Sequence, residues 1–223
     1  MKNNQGYKNE ALAALKGNWA PAVVCSIVLL LLMCILVGPS YCANMTALGM
    51  FHFPAGLVQA FTWASYPLNI FLFYPLLLGG VVTFNLLLAE GDAALTSNMF
   101  KAMFSGYFRN VWGLFLMFLF IVLWTLLLII PGIVKGFAYF MTPYILKDYP
   151  ELSANQAINL SCRMMKGHKF DLFWLNLSFV GWFLLATFTL GIGYVWLIPY
   201  VQTANAAFYQ DVKKAYEQNN LNN

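Results

Sequence analysis

The sequence predicts an all-α protein, a polytopic membrane helix bundle of about six transmembrane helices joined by short interfacial amphipathic helices. Three observations predict it. Apolar residues make up 61% of the chain and charged residues 9%, where soluble domains carry about 45–50% and about 25%. The apolar residues gather in runs near the roughly 20 residues that carry a helix across a hydrocarbon core about 30 Å thick. The 12 lysines and arginines gather at one set of run ends, the asymmetry that fixes membrane orientation.

The elements follow in order. Residues 1–18 read as a cytoplasmic interfacial helix, with Tyr7, Ala11, Leu12 and Leu15 on one face. Span one is Trp19–Val37. Glu10 and the helical face precede it, and no small-residue cleavage site follows it, so it is expected to remain uncleaved. An uncharged connection, Gly38–Leu68, contains His52. Its apolar middle, Gly49–Ala64, reads equally as an outer loop or a re-entrant helix. Span two is Asn69–Ala89, followed by a charged connection with Glu90, Asp92, Lys101 and Arg109. Span three is Val111–Ile130, Pro131-Gly132 makes a hairpin, and span four is Ile133–Leu146.

A cytoplasmic amphipathic segment follows, residues 150–171. Pro150 ends the preceding helix. Ser153 and Gln156 form a Ser-x-x-Gln capping box. Ala154, Ala157, Ile158, Ser161, Cys162 and Met165 make an apolar face, and Gly167 suits a left-handed helix end. Asp171 stands at the N-cap of span five, Leu172–Leu190; Gly191-Ile192-Gly193 turns the chain into span six, Tyr194–Phe208. The polar tail, Asp211–Asn223, is expected to fray. The whole chain, 1–223, reads as one integral membrane domain.

With the N-terminus inside, Lys135 alone among the basic residues falls on the outer side, so both termini are expected in the cytoplasm. The design also repeats. Residues 92–110 align with 153–171 when Gly106 is set on Gly167, which puts Asp92 on Ser153; residues 7–19 give a looser copy with Gly17 in that place. Three two-span units of this kind would be related by an axis along the membrane normal.

The stretch Tyr139–Trp182 resembles a bacterial integral-membrane family catalogued as domain of unknown function 975. The residues that carry the resemblance are Pro143–Leu146, Asp148, Pro150–Ser153, Ala157-Ile158, Ser161, Met164-Met165, Gly167-His168-Lys169, Leu177-Ser178-Phe179 and Gly181-Trp182. Leu15-Lys16-Gly17-Asn18-Trp19 is similar to the family's opening motif, and the likeness runs from about Glu10 to Asp211. It implies a multi-helix protein of the bacterial cytoplasmic membrane with unassigned biochemistry, and no catalytic or ligand residues to carry over.

The residues narrow the function only by class. Ser161, His168 and Asp171 are the ingredients of a hydrolytic triad, but their spacing promises no nucleophile–base contact and there is no Gly-x-Ser-x-Gly elbow; capping and interfacial anchoring explain them. Cys25, Cys34, Cys42 and Cys162 have no metal-ligand spacing. No catalytic residue, metal or cofactor is expected, and basic residues scattered at helix ends do not read as a nucleic-acid surface. No carboxylate occupies a span centre, which argues against a carboxylate-coupled pump.

Polar residues within spans remain: Thr83, Asn85, Thr125, Lys135, Thr142, Asn176, Ser178, Gln202, Thr203 and Asn205. Asn85, Asn176, Gln202 and Asn205 are the candidates for the bundle interior, either bonding across helices or lining a cavity. Lys135 lies near enough to Pro131 to snorkel to the outer interface. Arg163, Lys166 and Lys169 form a candidate cluster for anionic lipid, with the apolar side of their helix in the acyl boundary. The expected function is non-enzymatic, through membrane lipids, a membrane-protein partner or self-association; a small permease or efflux component is the alternative.

Overall fold

A computed structural model describes residues 2–47, 54–91, 94–189 and 191–221. The described residues form helices only, in the order α1 (Asn4–Leu15), α2 (Trp19–Ala47), α3 (Ala55–Glu90), α4 (Leu95–Phe104), α5 (Tyr107–Leu127), α6 (Ile129–Tyr139), α7 (Thr142–Asp148), α8 (Ala154–Met164), α9 (Lys169–Leu177), α10 (Val180–Phe188) and α11 (Tyr194–Leu221). Five segments are long and apolar enough to cross a membrane: Trp19–Leu36, Leu72–Glu90, Tyr107–Leu127, Ile129–Asp148 and Lys169–Phe188. The expected sixth, Tyr194–Phe208, is the first part of α11 and lacks that apolarity. The reason is its position. Ala204, Ala206, Ala207 and Phe208 are buried against other helices, and a helix face that meets protein has less need to be greasy.

One local arrangement occurs three times. A short helix (α1, α4, α8) ends near a glycine with positive φ, at Gly17 (88°), Gly106 (63°) and Gly167 (91°), and an apolar span starts within two residues. These are the three glycines that the sequence repeat aligns. A side chain is strained in that backbone region. Asp92, the proposed cap of the second copy, lies outside the described residues.

The expected connection 38–68 is mostly helical. Helix α2 runs on through Pro39 to Ala47, and α3 begins at Ala55. At 1.5 Å per residue, α3 with its 36 residues is about 54 Å long. His52 and residues 49–53 of the candidate re-entrant segment lie outside the described residues. The α5–α6 turn is the single extended residue Leu128 (φ −159°, ψ 137°), not Pro131-Gly132. Pro131 instead sits in the first turn of α6, where its missing N–H costs nothing.

Two expected spans are broken in the middle, and residues from other units close the breaks. Span four parts at Phe140-Met141. Ser161 of α8, fully buried, accepts the Met141 N–H (3.2 Å) and donates to the Ala138 carbonyl (2.8 Å). Span five parts at Ser178-Phe179. There Lys8 of α1 donates to the Ser178 carbonyl (3.1 Å) and lies 4.5 Å over the Phe179 ring. Arg109 of α5 serves the end of α7 in the same way: its guanidinium donates to the carbonyls of Leu146, Tyr149, Pro150 and Leu152. A cation at a helix C-terminus is favourable, and the planar fork reaches several carbonyls at once.

The capping box is present: Ser153 N–H donates to Gln156 Oε1 (2.8 Å) and Gln156 N–H to Ser153 Oγ (3.4 Å). The apolar face of α8 differs from expectation. Ala154, Ala157, Ile158 and Ser161 pack on α5, α6 and α7 rather than on acyl chains. Polar Asn155, Gln156, Asn159 and Arg163 are exposed. Burying an apolar stripe on protein or on lipid needs the same pattern, so the sequence alone could not choose.

The tail continues α11 as helix to Leu221. Tyr7 of α1, 1% exposed, donates to Asp211 (2.7 Å), and the Lys2 N–H donates to the same carboxylate (2.9 Å). Burial works to raise the Asp211 pKa, but these two donors and the positive N-terminus bring it below the ordinary carboxylate range. Burial first, and then the hydrogen bond to Asp211, push the Tyr7 hydroxyl upward. Val212 is buried and Lys213 reaches Asp148 at 2.6 Å. The polar tail residues thus have protein partners, which composition does not reveal.

Candidate functional site

The described residues shape a partly open cavity of about 330 Å³. It is bounded by Leu77 and Val81 of α3, Met117, Phe118 and Ile121 of α5, the broken α6–α7 segment, and Gln202 and Asn205 of α11. These positions lie near the middle of the spans Leu72–Glu90, Tyr107–Leu127 and Ile129–Asp148, so the cavity sits at mid-depth of the bundle. The break at Phe140-Met141 helps to shape it. Pro143 follows at the start of α7, and Gly136, Phe140, Pro143 and Tyr144 all line the space.

Its polar groups are few. Gln202 and Asn205 stand three apart on α11, and hence on one face of that helix. Asn205 is 7% exposed, and its Oδ1 is buried with no hydrogen-bond partner. Thr142 Oγ1, next in sequence to the lining Pro143, is buried and equally without a partner. Each such group ordinarily costs about 1–3 kcal/mol, and native structures hold few of them. Below the cavity a lock closes the bundle. Tyr144 stacks on Tyr209 with ring centres 4.6 Å apart. The Tyr209 hydroxyl donates to Asp148 (2.8 Å), as does Lys213 (2.6 Å). Sequence reasoning missed this lock because its members stand 61 and 65 residues apart with no local pattern to join them.

The four candidate interior amides part company. Gln202 and Asn205 line the cavity. Asn85 is buried, but its Oδ1 accepts from Gln210 at 2.8 Å, so it bonds across helices. Asn176 is half-buried and donates to Leu172 of its own helix (2.9 Å). Thr83, Thr125 and Thr203 also bond back to their own helices, at Gly79, Ile121 and Pro199. Lys135 stands on α6 with its ammonium against aromatic rings. Its ammonium lies 4.8 Å from the Trp124 ring centre and 5.9 Å from that of Tyr139, one helical turn further toward α7. Cation–π attraction offsets part of the cost of holding it there.

The triad ingredients are employed elsewhere. Ser161 is committed to the α6–α7 break, and His168 Nδ1 pairs with Asp171 at 3.4 Å. Arg163 and Lys166 are exposed, and Lys169 is half-exposed. Burial raises the Cys162 thiol pKa, against the opposing pull of Lys135 and Lys169. A second, larger cavity of about 430 Å³ lies between α1, α2, α10 and α11, lined by Trp19, Trp182, Trp196 and Tyr200. Its polar Thr189 is already bonded to Ala186 and Gly193.

The sequence profile of a family described as "Protein of unknown function (DUF975)" matches residues 94–216, which is more than half of the chain and takes in every element from α4 to most of α11. The chain belongs to the DUF975 family. Within it, the cavity draws all of its α5, α6, α7 and α11 residues from the matched region, and only Leu77 and Val81 from outside. The N-terminal Leu15–Trp19 motif also lies outside the match. No curated protein and no solved structure matches the chain.

Proposed function

We propose that this DUF975 protein is a non-enzymatic small permease or efflux component, a single-domain bundle of the bacterial cytoplasmic membrane with both termini inside. The observation that carries the reading is the mid-depth cavity, with the amides of Gln202 and Asn205 on its wall. Polar groups at that depth are costly, and they characteristically mark a ligand path. Substrate sites of repeat-built transporters lie near the midplane at broken helices, and the α6–α7 break borders this cavity. The distribution of lysine and arginine supports the orientation.

A cysteine experiment tests both parts. In a background without Cys25, Cys34, Cys42 and Cys162, Gln202→Cys is expected to react with a small water-soluble thiosulfonate from one side of the membrane. Asn159→Cys is expected to react with an impermeant reagent only after cells are opened, and Asn44→Cys in intact cells. A Gln202→Cys protein that stays unreactive in both intact cells and inverted vesicles has no aqueous path, and the permease reading fails. Reversed labelling at 159 and 44 overturns the orientation.

A second reading rests on a different surface. Arg163, Lys166 and Lys169 stand beside the exposed Phe170 (64%) and Trp174 (47%), a basic and aromatic edge suited to anionic lipid. Each basic residue near such a surface contributes about 1 kcal/mol. Neutralising all three is expected to weaken retention of anionic lipid by the purified protein at low salt; unchanged retention would remove lipid contact as a role for this cluster.

A further inference from the structure

We infer that the cavity binds an uncharged molecule of about ten non-hydrogen atoms, with an apolar body and one amide-like head that pairs with Gln202 and Asn205. This rests on the permease reading for its purpose, but not for its chemistry, which the cavity wall sets.

Charge is the first selector. Among the described residues that line the cavity, none is ionisable except Tyr144, and that tyrosine is stacked on Tyr209. An ion brought to this depth would lose its water and find no opposite charge, which is prohibitive. The second selector is the polar edge. Among the described residues neither Gln202 nor Asn205 has a hydrogen-bond partner for its amide, whereas Asn85 is already matched by Gln210. A primary amide offers both donors and an acceptor, and turning it by 180° exchanges them. A head group that both donates and accepts is therefore met in either orientation, and a partner that can only accept is met by half.

The apolar wall selects the body. Leu77, Val81, Met117, Phe118 and Ile121 face the amides from α3 and α5, with Phe140 beside them. Volume sets the size. At about 30 Å³ per water in the liquid, 330 Å³ corresponds to about ten waters, and so to about ten heavy atoms of ligand. Gly136 supplies an independent sign that the space is kept open. It lies inside α6, where glycine costs about 1 kcal/mol relative to alanine. Yet a Cβ placed there would meet nothing within 4 Å. No close packing asks for glycine at this position, and the room it leaves opens on the cavity that it lines.

The probe is 4-fluorobenzamide, which has the stated size and head, followed by fluorine NMR against the full-length protein in nanodiscs, with empty nanodiscs as the baseline. Its linewidth is expected to roughly double in the presence of protein and to return to baseline on adding excess unlabelled benzamide. 4-Fluorobenzoate, of the same shape but charged, is expected to stay at baseline, and 4-fluoro-N,N-dimethylbenzamide, which cannot donate, to broaden less than the primary amide. Gln202→Leu and Gly136→Leu should each abolish the benzamide effect, the first by removing the head's partner and the second by filling the space. The inference is overturned if benzamide shows no competable broadening, if benzoate or the dimethyl amide broadens equally, or if both variants leave the effect intact. The wild-type comparison of three probes decides the matter even where a variant fails to fold. Broadening by benzamide with an unreactive Gln202→Cys would uphold this ligand class and sink the permease; a reactive Gln202→Cys without broadening would do the reverse.

Discussion

Gly132→Ala is expected to lower the stability of the purified protein by about 2–4 kcal/mol, more than a single added methyl usually costs in a packed interior. A Cβ at this position would stand 2.7 Å from Thr125 Cα and 2.9 Å from Thr125 Cβ. The first of these is backbone, which cannot swing aside as a flexible side chain can. Helices α5 and α6 are joined by one residue, so they cannot separate without opening the turn at Leu128. Membrane helices use small residues to bring backbones together in this way. Gly136 provides the comparison within the same helix: Gly136→Ala meets no atom and is expected to be neutral or to stabilise by up to about 1 kcal/mol. Denaturation of both variants in detergent measures the difference. Equal losses would mean that the hairpin is not held by the close crossing.

Ser161→Ala is expected to cost about 2–4 kcal/mol, because it strands two buried backbone groups at once, the Met141 N–H and the Ala138 carbonyl. Each stranded group costs about 1–3 kcal/mol where water cannot reach it. Ser153→Ala is the natural control, since Ser153 is exposed and its cap contributes about 1 kcal/mol. Thermal unfolding of the two variants should rank Ser161→Ala well below Ser153→Ala. If the two fall together, water or the chain itself satisfies the α6–α7 break and Ser161 is not its clasp.

The sequence made some of this legible because the signals are local. Ser153 and Gln156 are three residues apart and form the cap the spacing promised. Gly17, Gly106 and Gly167 repeat a backbone requirement that only short-range sterics impose. The breaks were not legible. Phe140-Met141 and Ser178-Phe179 sit in apolar runs whose hydropathy does not change when a hydrogen bond is lost, and the groups that repair them, Ser161 and Lys8, come from other parts of the chain. Pro131-Gly132 looked like a turn because both residues favour turns, yet the first helical turn accepts proline equally well. Of the site, Gln202 and Asn205 could be named from their cost in a membrane. That they face an open volume while Asn85 meets Gln210 depends on how α3 and α11 cross, which no pattern in either segment encodes.

The bond between Tyr7 and Asp211 joins residues 204 positions apart, so α1 packs on a helix synthesised long after it. At about 5–20 residues per second, α1 waits on the order of 10–40 s for its partner to leave the ribosome. Through that interval Tyr7 and Ala11 have no α11 to cover them, and Lys8 has no α9–α10 break to close until span five has been made. A contact of this span closes only after every helix between its two ends has been made. A chain that stopped short of Asp211 would have made all five apolar spans and would lack the carboxylate that Tyr7 and the Lys2 N–H share.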